Sequence, residues 1–221
     1  MALIRAAIRD SQYIGASIVQ IICLDLEGVL IPEIWILFAQ STGIEELKLT
    51  TRDIADYDEL MSHRLNILRE KGLGLPDIQN VIAEMAPMEG AKAFLDSLRE
   101  QYQVIILSDT FYEFAAPLMA QLDWPTLFCH RLEVASDGLV SGYQLRQRDP
   151  KRNSVKALKN LNFRVFAAGD SYNDTTMLAE ADAGFLFRAP DNVKAEFPQY
   201  SATDDYAELR GYFDAAASSA S

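Results

Sequence analysis

Three apolar runs in this sequence end in acidic or hydroxylated side chains, at the point where a buried strand would stop. They read IICLDLE at 21–27, VIILSDT at 104–110 and VFAAGDSYND at 165–174. If the runs are neighbouring strands, their ends gather six polar side chains: Asp25, Glu27, Ser108, Asp109, Asp170 and Asp174. Like charges this close disfavour ionisation unless a cation offsets them. Oxygen ligands with room for water suit Mg²⁺, so we expect a magnesium site.

A metal ion beside an aspartate at a strand end indicates phosphoryl transfer. Asp25 can attack phosphorus and form an aspartyl-phosphate, a known role for carboxylates. Glu27 has a longer side chain that could protonate the leaving alkoxide and then deprotonate water, help typically worth about 10²–10⁴ in rate. Ser108 offers a hydroxyl to phosphate oxygens. Lys151, in DPKRNSV just before a helical stretch, is the best-placed cation to offset the charge on the transferred group.

Each of these residues also has a plainer interpretation. Asp25 could mark a strand-to-turn junction, Ser108 and Asp174 could cap helices, and Lys151 could be a solvated charge. Asp109 is assigned to the phosphate, with a turn or capping role left open. The order and spacing of the whole set favour one shared site over separate structural roles.

The elements that would position this site alternate between strand and helix, which predicts an α/β fold with a parallel sheet. Ligands bind in such sheets at the carboxyl edge of the strands. The segment LEVASDGLVSGYQL at 132–145 instead predicts a small β-hairpin. The predicted strands are Ile18–Leu24, Val104–Leu107, Thr126–Cys129, Val165–Ala168 and Gly184–Phe187.

The chain divides into a core and an insert. Residues 33–86 contain no good strand and read as three helices, at about 33–41, 54–70 and 76–85, so we interpret them as a helical cap. The catalytic core is then 18–32 together with 87–215. Residues 1–17 form an N-terminal extension, and the Ala/Ser-rich end, 216–221, is expected to be a flexible tail.

The second cap helix carries a cation on its apolar stripe. In YDELMSHRLNIL at 57–68, Arg64 falls among Met61, Leu65 and Leu68. A guanidinium there must reach solvent or meet an anion, and its fork suits a carboxylate. Glu33 could receive an ammonium, or could simply be an acid at a helix N-terminus. Arg64 and Glu33 together could hold an amino acid by both charged ends.

Composition excludes several classes of protein. The 221 residues carry a formal charge of −12, from 20 basic and 32 acidic side chains, which argues against nucleic acid or an acidic membrane surface as a partner. No apolar run approaches the roughly 18 residues of a membrane span, and no secretory signal is evident, so a cytoplasmic location is expected. Two cysteines and two histidines are too few for a zinc site, and His63 and His130 are expected in plain surface or helical positions.

The four polar segments, in this order, resemble the motifs of the haloacid dehalogenase superfamily. DLEGVL resembles its first motif, LSDT the second, Lys151 the third and GDSYND the fourth. The resemblance covers nearly all the chain from about Ile21 and implies a Rossmann-like core. It also implies Mg²⁺ held by the Asp25 side chain, the Glu27 backbone carbonyl and Asp170. Asp174 would act through metal-bound water, and Asn173 would help to fix the phosphate.

Two departures narrow the resemblance to one bacterial subgroup. The second acid of the first motif is Glu27 where the family usually has aspartate, and the second motif reads Ser-Asp-Thr where phosphoserine phosphatases usually have Ser-Gly-Gly. Both features resemble enzymes that hydrolyse phosphoserine and can pass its phosphoryl group to homoserine. The implied partners are therefore phosphoserine and homoserine as small-molecule ligands, with a homodimer as one possible assembly. Two alternatives are left open. The substrate could be another small phosphomonoester, or the protein could be a receiver-type binding module that is phosphorylated on an aspartate.

Overall fold

The computed structural model describes residues 19–50, 53–54 and 56–219. The predicted extension 1–17, Ile18 and the last two residues lie outside the described part. The strands are β1 (Gln20–Leu24), β2 (Gln103–Phe111), β3 (Thr126–Val134), β4 (Val140–Gln144), β5 (Arg164–Gly169), β6 (Ala183–Phe187) and β7 (Ser201–Thr203). The helices are α1 (Ile34–Thr42), α2 (Tyr57–Lys71), α3 (Leu75–Glu84), α4 (Ala91–Arg99), α5 (Tyr112–Gln121), α6 (Pro150–Asn160), α7 (Thr175–Glu180), α8 (Asp191–Glu196) and α9 (Tyr206–Ser218). Two short 3₁₀ helices cover Glu45–Lys48 and Tyr172–Asp174.

The seven strands form one sheet in the order β4-β3-β2-β1-β5-β6-β7. All neighbouring pairs are parallel except β3 and β4, which form the predicted antiparallel hairpin. Alternate β1 side chains pack into two separate apolar clusters, Ile22 and Leu24 in one, Ile21 and Cys23 in the other. Burial on both faces is typical of a parallel sheet covered by helices. The predicted α/β class with a parallel sheet and a hairpin is confirmed.

Polar residues end up together because β1, β2 and β5 are adjacent. Asp25 and Asp170 directly follow β1 and β5, and Ser108 lies in the second half of β2. Between Leu107 and Phe111 the β2 chain advances four residues while its partner β3 advances two, from Phe128 to His130. A bulge of this kind bends the strand and redirects its side chains, and here it falls on the Ser-Asp-Thr segment.

Between Ile34 and Glu84 the described residues form three α-helices and one 3₁₀ helix and no strand of the sheet, as the sequence pattern predicts. Two of these helices stop at glycines in the left-handed conformation, Gly43 with φ 69° and Gly72 with φ 66°, where a residue without Cβ is favoured. Asp56 caps the start of α2 by accepting a hydrogen bond from the Glu59 backbone N–H at 2.9 Å. The division of the chain into this cap and a core stays a prediction.

The structure differs from the sequence-based expectations in three places. The short strand β7 was not predicted. The last helix continues through Ser218 because alanine favours helix and because Ala216 and Ala217 pack against the core, so 216–218 are helical where a flexible tail is expected. His130 is buried on β3, which corrects the surface or helical position expected for it. Within the described residues, no helix has both the length and the apolar character needed to cross a membrane.

Candidate active site

Asp25 directly follows β1 and is buried at the carboxyl edge of the sheet. Its backbone N–H donates to the Ala168 carbonyl at 3.0 Å, which continues the β1–β5 ladder. Its Oδ1 accepts a hydrogen bond from the Leu26 backbone N–H at 2.7 Å. The carboxylate is therefore held in one orientation by its own chain, as a nucleophile requires.

Lys151 lies in the first turn of α6, and its ammonium is buried among acids. Nζ lies 2.9 Å from Asp25 Oδ1 and 2.7 Å from Asp174 Oδ1. Burial disfavours the charged ammonium, but Asp174 and Asp25 outweigh that effect and hold the pKa of Lys151 well above its usual value. The side chain is thus a fixed positive charge beside the proposed nucleophile, not a solvated one.

Asp174 is fully buried, and both of its carboxylate oxygens accept hydrogen bonds. Oδ1 accepts from Lys151, and Oδ2 accepts from the backbone N–H groups of Asp170 and Ser171 at 3.0 and 3.1 Å. Asp174 therefore links the loop after β5 to Lys151.

Asp25, Asp170 and Asp174 offer carboxylate oxygens that all lie within 4.8 Å of one another. Burial and the neighbouring Asp174 raise the pKa of Asp25 well above its ordinary value, and the same two causes raise the pKa of Asp170 to about 7. One ammonium faces three buried carboxylates here, so negative charge is left over. Oxygen donors with excess negative charge fit a hard divalent cation such as Mg²⁺.

Gly28 allows the loop after β1 to pass close to this cluster. Its φ is 76°, and a Cβ at this position would lie 2.5 Å from Asp170 Oδ2. The position therefore requires glycine both for its backbone conformation and for the space beside Asp170.

We expect Gly28→Ala to lower activity by at least about tenfold and to weaken Mg²⁺ affinity, because the new methyl group displaces Asp170. Gly43→Ala is the matched control, since Gly43 has φ 69° but no atom within 4 Å of a Cβ. That control carries only the backbone strain of about 1 kcal/mol. The activity of both variants is measured as a function of Mg²⁺ concentration. Equal losses of activity and of Mg²⁺ affinity in the two variants would contradict the role given to the Asp170 contact.

Glu27 lies in the turn between β1 and α1. Its Oε2 accepts a hydrogen bond from the Ile34 backbone N–H at 2.9 Å, at the start of α1. Burial and the nearby Glu33 raise the pKa of Glu27 to about 8, while the Ile34 hydrogen bond opposes them. A carboxyl group that holds its proton near neutral pH is suited to act as a general acid.

Asp109 lies in the β2 bulge, next to the buried Ser108. Its Oδ2 accepts from Asn173 Nδ2 at 2.9 Å and lies 3.8 Å from Lys151 Nζ, and its Oδ1 lies 3.4 Å from His130 Nε2. Burial opposes ionisation, but Lys151 and the hydrogen bonds from His130 and Asn173 hold the pKa of Asp109 below its usual range. The Asp109 carboxylate is therefore charged and oriented.

Arg64 points from α2 toward the same region and is 7% exposed. Nη2 donates to the Leu49 carbonyl at 2.8 Å, and the guanidinium lies 4.6 Å from the centre of the Trp35 ring. Arg64 Nε is buried and has no hydrogen-bond partner among the described residues. Burial lowers the pKa of Arg64 to about 10, although the nearby Glu27 acts in the opposite direction. A buried guanidinium with an unused donor is suited to bind an anion.

One cavity of about 310 Å³ joins the helical segment to the sheet edge. Nine of the ten predicted site residues line it, all except the fully buried Asp174. They are Asp25, Glu27, Glu33, Arg64, Ser108, Asp109, Lys151, Asp170 and Asn173. Residues far apart in the sequence therefore share one concave site, as the motifs predict.

Sequence reasoning did not identify two neighbours of this cavity as site residues. Tyr57 lines it and donates from its hydroxyl to the Asp109 carbonyl at 3.1 Å, and His130 supports the Asp109 side chain. Tyr57 lies four residues before Met61 on the apolar stripe of its helix, so its position indicates packing and not a site. His130 follows an apolar run, as Asp25, Ser108 and Asp170 do. Its position after a predicted strand was the feature of the sequence that could have identified it as a site residue.

Comparison with known proteins agrees with this geometry. The family model described as haloacid dehalogenase-like hydrolase matches residues 19–182. A Pseudomonas aeruginosa protein named phosphoserine phosphatase ThrH is 64% identical over 194 residues, which cover 88% of this chain and 95% of the relative. A Pseudomonas syringae pv. tomato protein named phosphoserine phosphatase is 63% identical over 200 residues, covering 90% of this chain and 84% of the relative.

Among solved structures, an apo phosphoserine phosphatase superposes with a TM-score of 0.72 at 21% sequence identity, covering 88% of this chain and 98% of the other. This likeness supports the fold, and the two sequence relatives support the family. The motifs, the sheet and these matches lead to one conclusion: this chain belongs to the haloacid dehalogenase-like hydrolase family.

Proposed function

We propose that this protein is a Mg²⁺-dependent phosphatase that hydrolyses phosphoserine through an aspartyl-phosphate on Asp25. The observation that carries the proposal is that Asp25, Lys151 and Arg64 line the same cavity. The names of the two relatives above 60% identity support phosphoserine as the substrate.

The chemistry follows from the positions of these side chains. Asp25 attacks phosphorus while Lys151, 2.9 Å from it, offsets charge on the transferred group. The bond from phosphorus to the serine oxygen breaks, and the Glu27 carboxyl gives its proton to that oxygen. Glu27 then takes a proton from the attacking water, which releases phosphate and restores Asp25. Ser108, Asn173 and the Asp109 segment are assigned to hold the phosphate oxygens.

Asp25, Asp170 and the Glu27 backbone carbonyl are the proposed ligands of Mg²⁺, with Asp174 supporting them from the next layer. A bound Mg²⁺ would offset the negative charge that these carboxylates and the substrate phosphate bring together. The acidic cluster described above supports this assignment.

The amino-acid end of the substrate is assigned to Arg64 and Glu33. Arg64 lines the cavity, and the fork of its guanidinium suits the carboxylate of the substrate. Glu33 precedes α1 and caps it without its side chain, and its carboxyl group, which lies beside that of Glu27, is assigned to the ammonium. The two residues line the same cavity as Asp25.

We expect Arg64→Met to raise KM for phosphoserine about 10- to 100-fold, because one hydrogen bond to a charged group is worth about 1.5–3 kcal/mol. KM for p-nitrophenyl phosphate, which has no amino-acid group, should change little. Arg69→Met on the exposed side of the same helix is the control. A parallel rise in KM for both substrates would show that Arg64 supports the fold of the site and does not recognise the amino acid.

We propose as a second activity that the phosphoryl group passes from Asp25 to homoserine. Homoserine has the same zwitterionic end as serine, so Arg64 and Glu33 could hold it with its hydroxyl toward the phosphorylated Asp25. Glu27 would take the hydroxyl proton in place of a water proton. Mass spectrometry of reactions with phosphoserine, with and without homoserine, tests this, and no phosphohomoserine at saturating homoserine would leave only hydrolysis.

A panel of phosphorylated metabolites, with Asp25→Asn as the blank, tests the substrate class. Phosphoserine is expected to have the highest kcat/KM. A best substrate without an amino-acid end would overturn the assignment of Arg64 and Glu33 while leaving the phosphatase proposal in place. Sustained release of phosphate would separate this protein from a receiver-type module, which is phosphorylated without continuous turnover. The cytoplasmic location and the homodimer stay predictions.

A further inference from the structure

His130 is a buried histidine for which the proposed chemistry has no use. It lies on β3, 3% exposed, opposite Phe111 and just past the β2 bulge that carries Ser108 and Asp109. It lines a second cavity, of about 780 Å³, whose wall includes Asp109, Tyr57 and Asn173, all shared with the catalytic cavity. Asp109 therefore lines both cavities, whereas His130 lines only the second.

Both ring nitrogens of His130 are engaged. The Arg146 backbone N–H donates to Nδ1 at 3.1 Å, so Nδ1 is an acceptor and carries no proton. The proton of the neutral ring is then on Nε2, which lies 3.4 Å from Asp109 Oδ1. The hydrogen-bond network thus assigns one tautomer, in which the backbone of residue 146 directs a donor at Asp109.

Asp109 is a potential competitor for the cation of the active site. Lys151 Nζ lies 2.9 Å from Asp25 Oδ1 but 3.8 Å from Asp109 Oδ2. An Asp109 carboxylate closer to Lys151 than 3.8 Å would form an ion pair that competes with Asp25 for the ammonium. Asn173 restrains one oxygen of Asp109 and His130 the other.

We propose that His130 is a positioning residue for phosphoryl transfer: by holding Asp109 Oδ1, it keeps this carboxylate at the edge of the site and leaves Lys151 to Asp25 and the transferred group. The inference rests on the proposed phosphatase activity but not on phosphoserine as the substrate. The restraint by His130 explains how the Asp109 carboxylate can lie in the wall of a phosphate site, where an unrestrained carboxylate would disturb the charge balance.

Two substitutions by amide residues distinguish the roles of the two ring nitrogens of His130. In His130→Gln the side-chain amide can reach the Nε2 position and donate to Asp109. In His130→Asn the amide reaches only the Nδ1 position, so it can accept from Arg146 but cannot reach Asp109. With saturating Mg²⁺ and p-nitrophenyl phosphate, we expect kcat to fall about tenfold in His130→Asn, and His130→Gln to recover most of that loss.

A double-mutant cycle with Asp109→Asn distinguishes positioning from simple structural support. Without a carboxylate at 109, the competition that His130 restrains is gone, so adding His130→Asn should lower kcat by less than about twofold further. Equal losses in His130→Asn and His130→Gln, no loss in His130→Asn, or an undiminished loss in the Asp109→Asn background would each overturn the proposal.

Nitrogen-15 NMR of the histidine rings gives a test that does not depend on turnover. We expect the neutral, Nε2-protonated tautomer for His130, and a changed Nε2 proton shift in Asp109→Asn. A proton on Nδ1, in a neutral or charged ring, would overturn the proposal. If the wild-type protein hydrolysed no phosphomonoester, the proposed function would fail, and the NMR result would still decide whether His130 holds Asp109.

Discussion

Asp25→Asn is expected to lower kcat for phosphomonoester hydrolysis by a factor on the order of 10⁴ or more, because an amide cannot form the aspartyl-phosphate. The substitution should not unfold the protein. The amide oxygen can still accept from the Leu26 backbone N–H, and one charge is removed from a cluster in which burial and Asp174 already disfavour ionisation.

Phosphate release and thermal unfolding, measured on the same preparation, check this expectation. Asp137→Asn is the control, since Asp137 is exposed in the hairpin turn and its hydrogen bond to the Leu139 N–H survives the change. A folded Asp25→Asn variant with more than a few per cent of wild-type activity would exclude Asp25 as the nucleophile.

Lys151→Met is expected to impair both catalysis and stability. Loss of a positioned group that stabilises transition-state charge typically costs about 10²–10³ in kcat. The variant also leaves the buried carboxylates of Asp25 and Asp174 without the ammonium that contacts both of them. Breaking a buried ion pair from one side costs about 3–5 kcal/mol, so we expect Tm to fall by about 10 °C without Mg²⁺.

Added Mg²⁺ should restore part of the stability of Lys151→Met, because the cation offsets the same carboxylates, but it should not restore kcat. Lys156→Met, at an exposed position on the same helix, is the control and should leave both quantities near their wild-type values. Calorimetry with EDTA and with Mg²⁺ gives the two Tm values. A Tm of Lys151→Met equal to that of wild type in EDTA would contradict the electrostatic role of this lysine.

Much of the site could be predicted from local patterns. Apolar runs that stop at Asp25, Ser108 and Asp170 predict three strands and the edge at which they end, because strand burial and polar termination are both properties of short segments. The helical segment was recognisable for the same reason, and Gly43 and Gly72 marked where two of its helices stop. The four motifs, in their order, carried the resemblance to the family without any knowledge of contacts.

The roles of individual polar atoms depended on tertiary structure. The sequence alone, through its periodicity, its strand-end acids and its ordered motifs, predicted the fold class and led us to propose Asp25 as the nucleophile and Mg²⁺ as the metal. Only the folded chain decided that Lys151 contacts Asp174 as well as Asp25, that Arg64 keeps an unused donor, and that His130 contacts Asp109. The physical reason is that periodicity and chain direction are local, whereas hydrogen-bond partners and pKa shifts arise between segments that meet only after the sheet has assembled.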